Sequence, residues 1–278
     1  MSDVQITASD VKKLRDTTGA GMMDCKKALK ESGGDFQGAI EYLRKKGQKM
    51  SAKRADRDAK EGCVIALVSD DNSRGVVIRL SCETDFVSKN DDFVKMTTDI
   101  AQMALAKFPA DKEALLAEEY MGMKLGDKIT EQIGVIGEKV EVADYQRLES
   151  AMVSPYIHMG NKAGVLVGFN KASDAFVEAG KDVAMQVAAM KPVAVDQDGV
   201  SQDVIKKEIE IGMEIAKQEG KPEEMLERIA TGKLNKFFKE NTLLNQMFVK
   251  NNKQSISAYL QSLDSDLTVT DFKHVTLG

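Results

Sequence analysis

The stretch Gly220-Lys221-Pro222-Glu223-Glu224 limits the fold of this chain more than any other, because it divides two apolar recurrences that only helices make. Before it, Ile205, Ile209, Gly212 and Ala216 recur at spacings of four, three and four; after it come Leu226, Ala230, Leu234 and Phe237 at four, four and three. Glycine takes the left-handed position past a helix C-terminus, proline fits the first turn of a helix, and the two glutamates favour that helix's positive end. Residues 202–241 therefore read as an antiparallel coiled-coil hairpin projecting from a body. Such an arm has little interior of its own, so it is either a stabilising insertion or a surface for a partner.

Residues 1–50 show a second kind of helical punctuation. Thr7-Ala8-Ser9-Asp10 has the form of a capping box, Val11, Leu14 and Arg15 follow at helical spacing, and Thr18-Gly19-Ala20-Gly21 stops the helix. A second helix runs through Met22 to Leu29 and ends at Ser32-Gly33-Gly34. Asp35 caps a third, whose apolar stripe is Phe36, Ala39, Ile40 and Leu43 ahead of Gly47. Three short helices make a small binding module of the ubiquitin-associated type. Residues 51–61, dominated by Lys, Arg, Asp and Ala, read as a partly helical linker. The basic positions from Lys45-Lys46 to Lys53-Arg54 belong to a solvated linker face, with an RNA contact as the alternative.

The body opens with two strands, 63–68 and 75–80, joined by the turn formers Ser69-Asp70-Asp71-Asn72-Ser73. Helical patterns follow at 93–107, 112–119 and 127–139, then a strand pair at 142–148 and 151–158, a strand at 164–170, and a helix at 175–190 ended by Lys191-Pro192. After the arm come a helix at 254–263 and a closing strand at 266–276, in which Phe272 and Val275 leave the alternation begun by Leu267 and Val269. The expected class is α+β, since runs of strands and runs of helices segregate. The expected division is a three-helix module (1–50), a linker (51–61), and a core of two α+β subdomains with antiparallel sheets (62–140 and 141–278), the second carrying the coiled coil.

Several function classes are excluded. The net charge of -5, with both signs interspersed, supplies no broad basic face for nucleic acid. No run reaches the roughly eighteen apolar residues of a membrane span, and Met1-Ser2-Asp3-Val4-Gln5 has no signal or transit character, so a cytoplasmic protein is expected. Cys25, Cys63 and Cys82 are odd in number and widely spaced, which suggests buried hydrophobes rather than disulfides or metal ligands. No glycine-rich phosphate loop, dinucleotide fingerprint, His-Glu-x-x-His or nucleophile elbow is present. The two histidines, His158 and His274, lie far apart, and nothing marks activation of a Cys82–His158 pair. Neither catalytic residues nor a cofactor nor a metal site is expected, and the chain does not read as an enzyme.

One short connection remains. Cys82-Glu83-Thr84-Asp85-Phe86-Val87 lies between the strand ending near Ser81 and the helix starting at Asp91 or Asp92. Residues on such connections often touch something else. Taken alone, Asp85 reads as a turn or cap acceptor and Phe86 as a core plug.

Three strings carry a resemblance. Val11-Lys12-Lys13-Leu14-Arg15 with Thr18-Gly19-Ala20-Gly21-Met22-Met23-Asp24-Cys25-Lys26-Lys27-Ala28-Leu29, then Cys82 to Val87, then Tyr156-Ile157-His158-Met159-Gly160 through Gly164-Val165-Leu166-Val167, are similar to the signatures of the translation elongation factor Ts family. The order of the pieces matches over nearly the full chain. Asn161, Lys162 and Ala163 depart from the Gly-Arg-Ile often found in that family, and the departure touches one strand entry.

The resemblance implies a guanine-nucleotide exchange factor for the GTPase elongation factor Tu, acting in translation elongation. It implies that Met22 and Met23 of the amino-terminal module contact the GTPase and that Asp85 and Phe86 insert near its magnesium and nucleotide. It also implies that Ile136, Gly137, Glu138, His158 and Lys181 lie on the partner-facing side. The arm matches a family element associated with dimerisation, here a homodimer contact, or with reaching another part of the partner. The alternative is a non-catalytic scaffold or chaperone-like module that joins partners through the three helices and the arm and assigns nothing to Asp85-Phe86.

Overall fold

The computed structural model describes residues 5–277, which divide into two compact units. The first holds the described residues up to Ile65, together with Ile78–Tyr145 and Leu277; the second holds Ala66–Val77 and Gln146–Thr276. In chain order the elements begin with α1 (Ala8–Thr18), α2 (Met22–Glu31) and α3 (Phe36–Arg54). Thr7 and Asp10 form a reciprocal capping box on α1, Gly19 closes it at φ 72°, and Asp35 caps α3 by accepting from Gly38 N. Leu14, Cys25, Ala28, Leu29 and Ala39 form the buried centre of the three helices.

The third helix differs from the sequence expectation. It continues past Gly47 to Arg54, because Gly47 lies against another helix rather than ending its own. After it come β1 (Glu61–Val68), β2 (Arg74–Cys82), the single turn α4 (Asp85–Ser88), α5 (Asp91–Lys107) and α6 (Lys112–Ala117). A small antiparallel hairpin follows, β3 (Glu119–Tyr120) with β4 (Met123–Lys124), then α7 (Leu125–Ile136) and β5 (Val140–Glu149). The hairpin was not foreseen, since two-residue strands carry no periodicity. Strands β1, β2 and β5 form one sheet in the order β1-β2-β5. Within the first unit α3 packs along α7, and Val135 of α7 joins the cluster of the three helices.

The second unit adds β6 (Met152–Ile157), β7 (Ala163–Phe169), α8 (Val177–Met190), the arm helices α9 (Gln202–Gln218) and α10 (Glu223–Asn241), β8 (Met247–Phe248), β9 (Asn251–Ser255), α11 (Ile256–Gln261) and β10 (Val269–Thr276). An antiparallel sheet in the order β10-β7-β6 has β7 buried along its whole length. Phe169, Val183, Leu243, Ile256 and Leu260 are among the core residues between this sheet and its helices. The register of β10 on β7 shifts between Val269 and Asp271, so Thr270 is a bulged residue. That extra residue brings Phe272, opposite Val167, onto the face of Val269, while Val275, opposite Gly164, lies on the other face.

Strands β5 and β6, expected to pair with each other, instead belong to different sheets. Ser150 sits at the switch: its N–H donates to Ser73 O at 3.1 Å and its hydroxyl to Phe169 O at 2.7 Å. The arm forms as its punctuation predicts. Gly220 takes φ 72°, Lys221 N donates back to Ala216 O, and Gly212 lies against Ala230, where a Cβ would stand 3.0 Å from Ala230 Cα. The molecule is thus α+β with several small antiparallel sheets and a helical N-terminal segment. No helix among the described residues is long and apolar enough to cross a membrane.

Candidate functional site

Strand β2 delivers the chain into a sharp elbow at Cys82, and α4 begins three residues later. Cys82 is fully buried, and its thiol donates to Thr84 O at 3.2 Å. Burial, reinforced by the nearby charge of Glu138, pushes this thiol up to about 12, so it is held as a neutral spacer and not as a nucleophile.

Glu83 and Thr84 are tied to a second segment, the turn after α7. Both backbone N–H groups donate to Glu138 Oε2, at 3.1 and 3.0 Å, and the Thr84 hydroxyl donates to Glu138 Oε1 at 2.6 Å. In return Glu83 Oε1 accepts the Lys139 N–H at 2.6 Å. Arg54, the last residue of α3, sets Nη1 against both Glu83 oxygens at 2.7 and 2.8 Å. Burial raises the Glu83 pKa, but the Lys139 N–H and the Arg54 guanidinium outweigh it and leave the carboxyl below its usual range.

Beyond the clamp the chain turns Phe86 out to solvent and buries Ser88. Phe86 is 85% exposed, which excludes the core-plug reading. An aromatic ring left in water forgoes roughly 1.5–3 kcal/mol of burial, so the fold itself gains nothing from having a phenylalanine here. Asp85 is half-exposed and pairs with Lys89 at 2.7 Å, one turn on; that ammonium, by hydrogen bond and charge, lowers the Asp85 pKa.

Phe86 and Ile136 line one groove of roughly 530 Å³, together with Gly19 at the end of α1, Val87, Asn90, Asp92, Phe93 and Met96 around α5, and Gln132 and Val135 of α7. Ile136 is half-buried. Gly137, at φ 80°, is the left-handed cap that ends α7 and turns the chain so that Glu138 faces the elbow. Met22 and Met23 open α2 and are 42% and 77% exposed, outside the groove lining.

The remaining two sequence candidates belong to the second unit. His158 is exposed just past β6, with Nδ1 3.2 Å from Tyr156 Oη, beside the exposed Met159. Lys181 is exposed on α8 next to Gly180, where any Cβ would collide with Ser154 Oγ. Among the described residues no cluster of His, Cys, Asp or Glu is arranged to hold a metal ion. Sequence reasoning missed Arg54 and the clamping role of Glu138. The clamp joins carboxylates 55 positions apart, a separation at which local patterning carries no signal.

Together these features define a multi-module α+β protein that holds apolar side chains out to solvent on a clamped elbow and at a helix start. The sequence model of the family described as Elongation factor TS matches residues 83–278. The chain is similar to the elongation factor Ts of Christiangramia forsetii, 56% identical over 99% of both chains, and of Flavobacterium psychrophilum, 54% identical over 98% of this chain and 99% of the relative. It is 44% identical to that of Chlorobium phaeobacteroides over 99% of both. The chain belongs to the elongation factor Ts family, a family of translation elongation factors in protein biosynthesis.

Proposed function

We propose that the chain promotes release of guanine nucleotide from the GTPase elongation factor Tu, with Phe86 as a wedge that enters near the magnesium and nucleotide. The observation that supports this reading is Phe86 itself: a large apolar ring, 85% exposed, on a one-turn helix whose entry is tied down by Glu138 and Glu83. A GTPase holds its nucleotide through backbone donors, a lysine and a magnesium ion on the phosphates. A wedge that favours a distorted, magnesium-poor form weakens nucleotide binding by the factor with which nucleotide weakens the wedge, because coupling is reciprocal. Burying the ring in the partner is worth roughly 1.5–3 kcal/mol, which is about tenfold to a hundredfold in release rate.

In this reading Asp85 brings a carboxylate toward the groups around the magnesium, and Met22 and Met23 dock the amino-terminal module on the GTPase. Ile136 and Gly137 border the wedge, while His158 and Lys181 are further contacts from the second unit. The arm reaches another part of the partner or a second copy of the chain.

The decisive measurement is release of fluorescent GDP from the GTPase. Phe86→Ala is expected to form the complex through the other surfaces and to lose about tenfold or more of the exchange rate. An unchanged rate would sink the wedge assignment and favour a scaffold.

A further inference from the structure

We propose that Glu138 is the positioning residue of the Asp85-Phe86 turn, setting how fast nucleotide leaves rather than how tightly the partner docks. The proposal rests on the wedge reading above.

Thr84 occupies the N-cap position of α4 yet makes no capping hydrogen bond from its side chain. Its hydroxyl is turned away to Glu138 Oε1 at 2.6 Å, and the two N–H groups that lead into the turn both end on Glu138 Oε2. One carboxylate thus fixes the backbone of two consecutive residues immediately ahead of Asp85. Hydrogen bonds to a charged acceptor are about twice as strong as neutral ones, and these are only partly open to water. The tie is reciprocal, because Glu83 accepts the N–H of Lys139, the residue after Glu138. Two strands of carboxylate-to-backbone bonding therefore lock segments 83–84 and 138–139 together, with Arg54 fastening Glu83 from the end of α3.

Beyond this lock α4 is a four-residue turn with Ser88 as its buried member. A wedge must arrive already oriented, since a ring free to fold back would lose binding energy to ordering it. Without Glu138, two N–H groups and a hydroxyl lose their partner and the elbow loses its fixed direction. Docking through other surfaces is untouched, so the effect falls on the maximal rate.

The test uses the full chain and fluorescent GDP release, with factor concentration varied to separate maximal rate from half-saturating concentration. Glu138→Ala is expected to lower the maximal rate about tenfold, with the half-saturating concentration within about twofold of its original value. Glu138→Gln, which keeps an oxygen for the backbone N–H groups, recovers most of that loss. Combined with Phe86→Ala, Glu138→Ala adds no further loss, because it acts through the ring. A Glu138→Ala protein with the original maximal rate, or one whose loss multiplies with that of Phe86→Ala, overturns the proposal. A reduced rate in Phe86→Ala with an unaltered Glu138→Ala discards the positioning role alone, whereas an unaltered Phe86→Ala discards the wedge itself. Should Glu138→Ala not fold, Thr84→Val removes only the hydroxyl contact and carries the same comparison, with a smaller loss expected.

Discussion

Gly47 of α3 and Gly134 of α7 meet backbone to backbone: a Cβ on Gly134 would stand 2.8 Å from Gly47 Cα, and one on Gly47 2.7 Å from Thr130 O. Within the first unit, the amino-terminal helices are therefore joined to α7 by a close helix crossing as well as by the covalent chain. The same helix α3 ends in Arg54, which reaches Glu83 just ahead of the Asp85-Phe86 turn, so the crossing also fixes where the clamp is anchored.

Gly134→Ala is expected to destabilise the protein by about 1–3 kcal/mol, because neither backbone atom in its way can move aside like a side chain. This outweighs the roughly 1 kcal/mol by which alanine is preferred to glycine inside a helix. Gly126→Ala on the same helix, where nothing lies closer than 3.5 Å, is neutral or stabilising. Urea midpoints of the two variants check the pair; equal midpoints would show that the helices do not cross here.

The three cysteines are all buried, and burial raises the Cys25 thiol pKa in the same direction as that of Cys82. A thiol reagent at neutral pH should find no reactive group in the native protein and three in denaturant. Rapid native labelling of Cys82 would mean that the elbow opens far more often than its hydrogen bonds allow.

Helix punctuation made much of this fold legible. The box at Thr7 and Asp10, the cap at Asp35 and the break at Gly220 each act within a few residues, where sequence and geometry are nearly the same thing. Pairings between distant segments were not legible. Strands β5 and β6 look alike in sequence, yet Ser150 sends them to different sheets. The bulge at Thr270 was visible only as a broken alternation. From its local residues alone the exposure of Phe86 was hidden for the same reason, since its helical turn resembles any amphipathic segment until Glu138 and Arg54 are in place; only the family resemblance pointed to it.

The turn between β1 and β2 carries a pH dependence of its own. Asp71 accepts from the Ser69 hydroxyl at 2.6 Å, from Ser73 N at 3.0 Å and from the Ser73 hydroxyl at 2.8 Å, and these bonds hold its pKa at about 2 against an ordinary 3.8. A carboxylate depressed in the folded state adds stability that is fully present above the ordinary value and is lost as pH falls toward the depressed one. Stability measured across that acid window is expected to fall less steeply in Asp71→Asn than in the original protein. Parallel curves would show that the turn is already open in acid.

Met22 and Met23 offer the complement to the Phe86→Ala experiment. They stand at the start of α2 with Gly21 as the N-cap, so they project from a rigid helix end rather than from a loop, and neither lines the groove beside Phe86. The helices behind them have a buried centre of their own in Leu14, Cys25 and Leu29, so truncating surface methionines leaves that packing intact. If they dock the module on the GTPase, their burial contributes before nucleotide release and equally through it, which is uniform binding. Met22→Ala combined with Met23→Ala is then expected to raise the half-saturating concentration in the exchange assay by about tenfold or more while the maximal rate holds. A lowered maximal rate at unchanged half-saturation would move the methionines from docking to the chemistry of release.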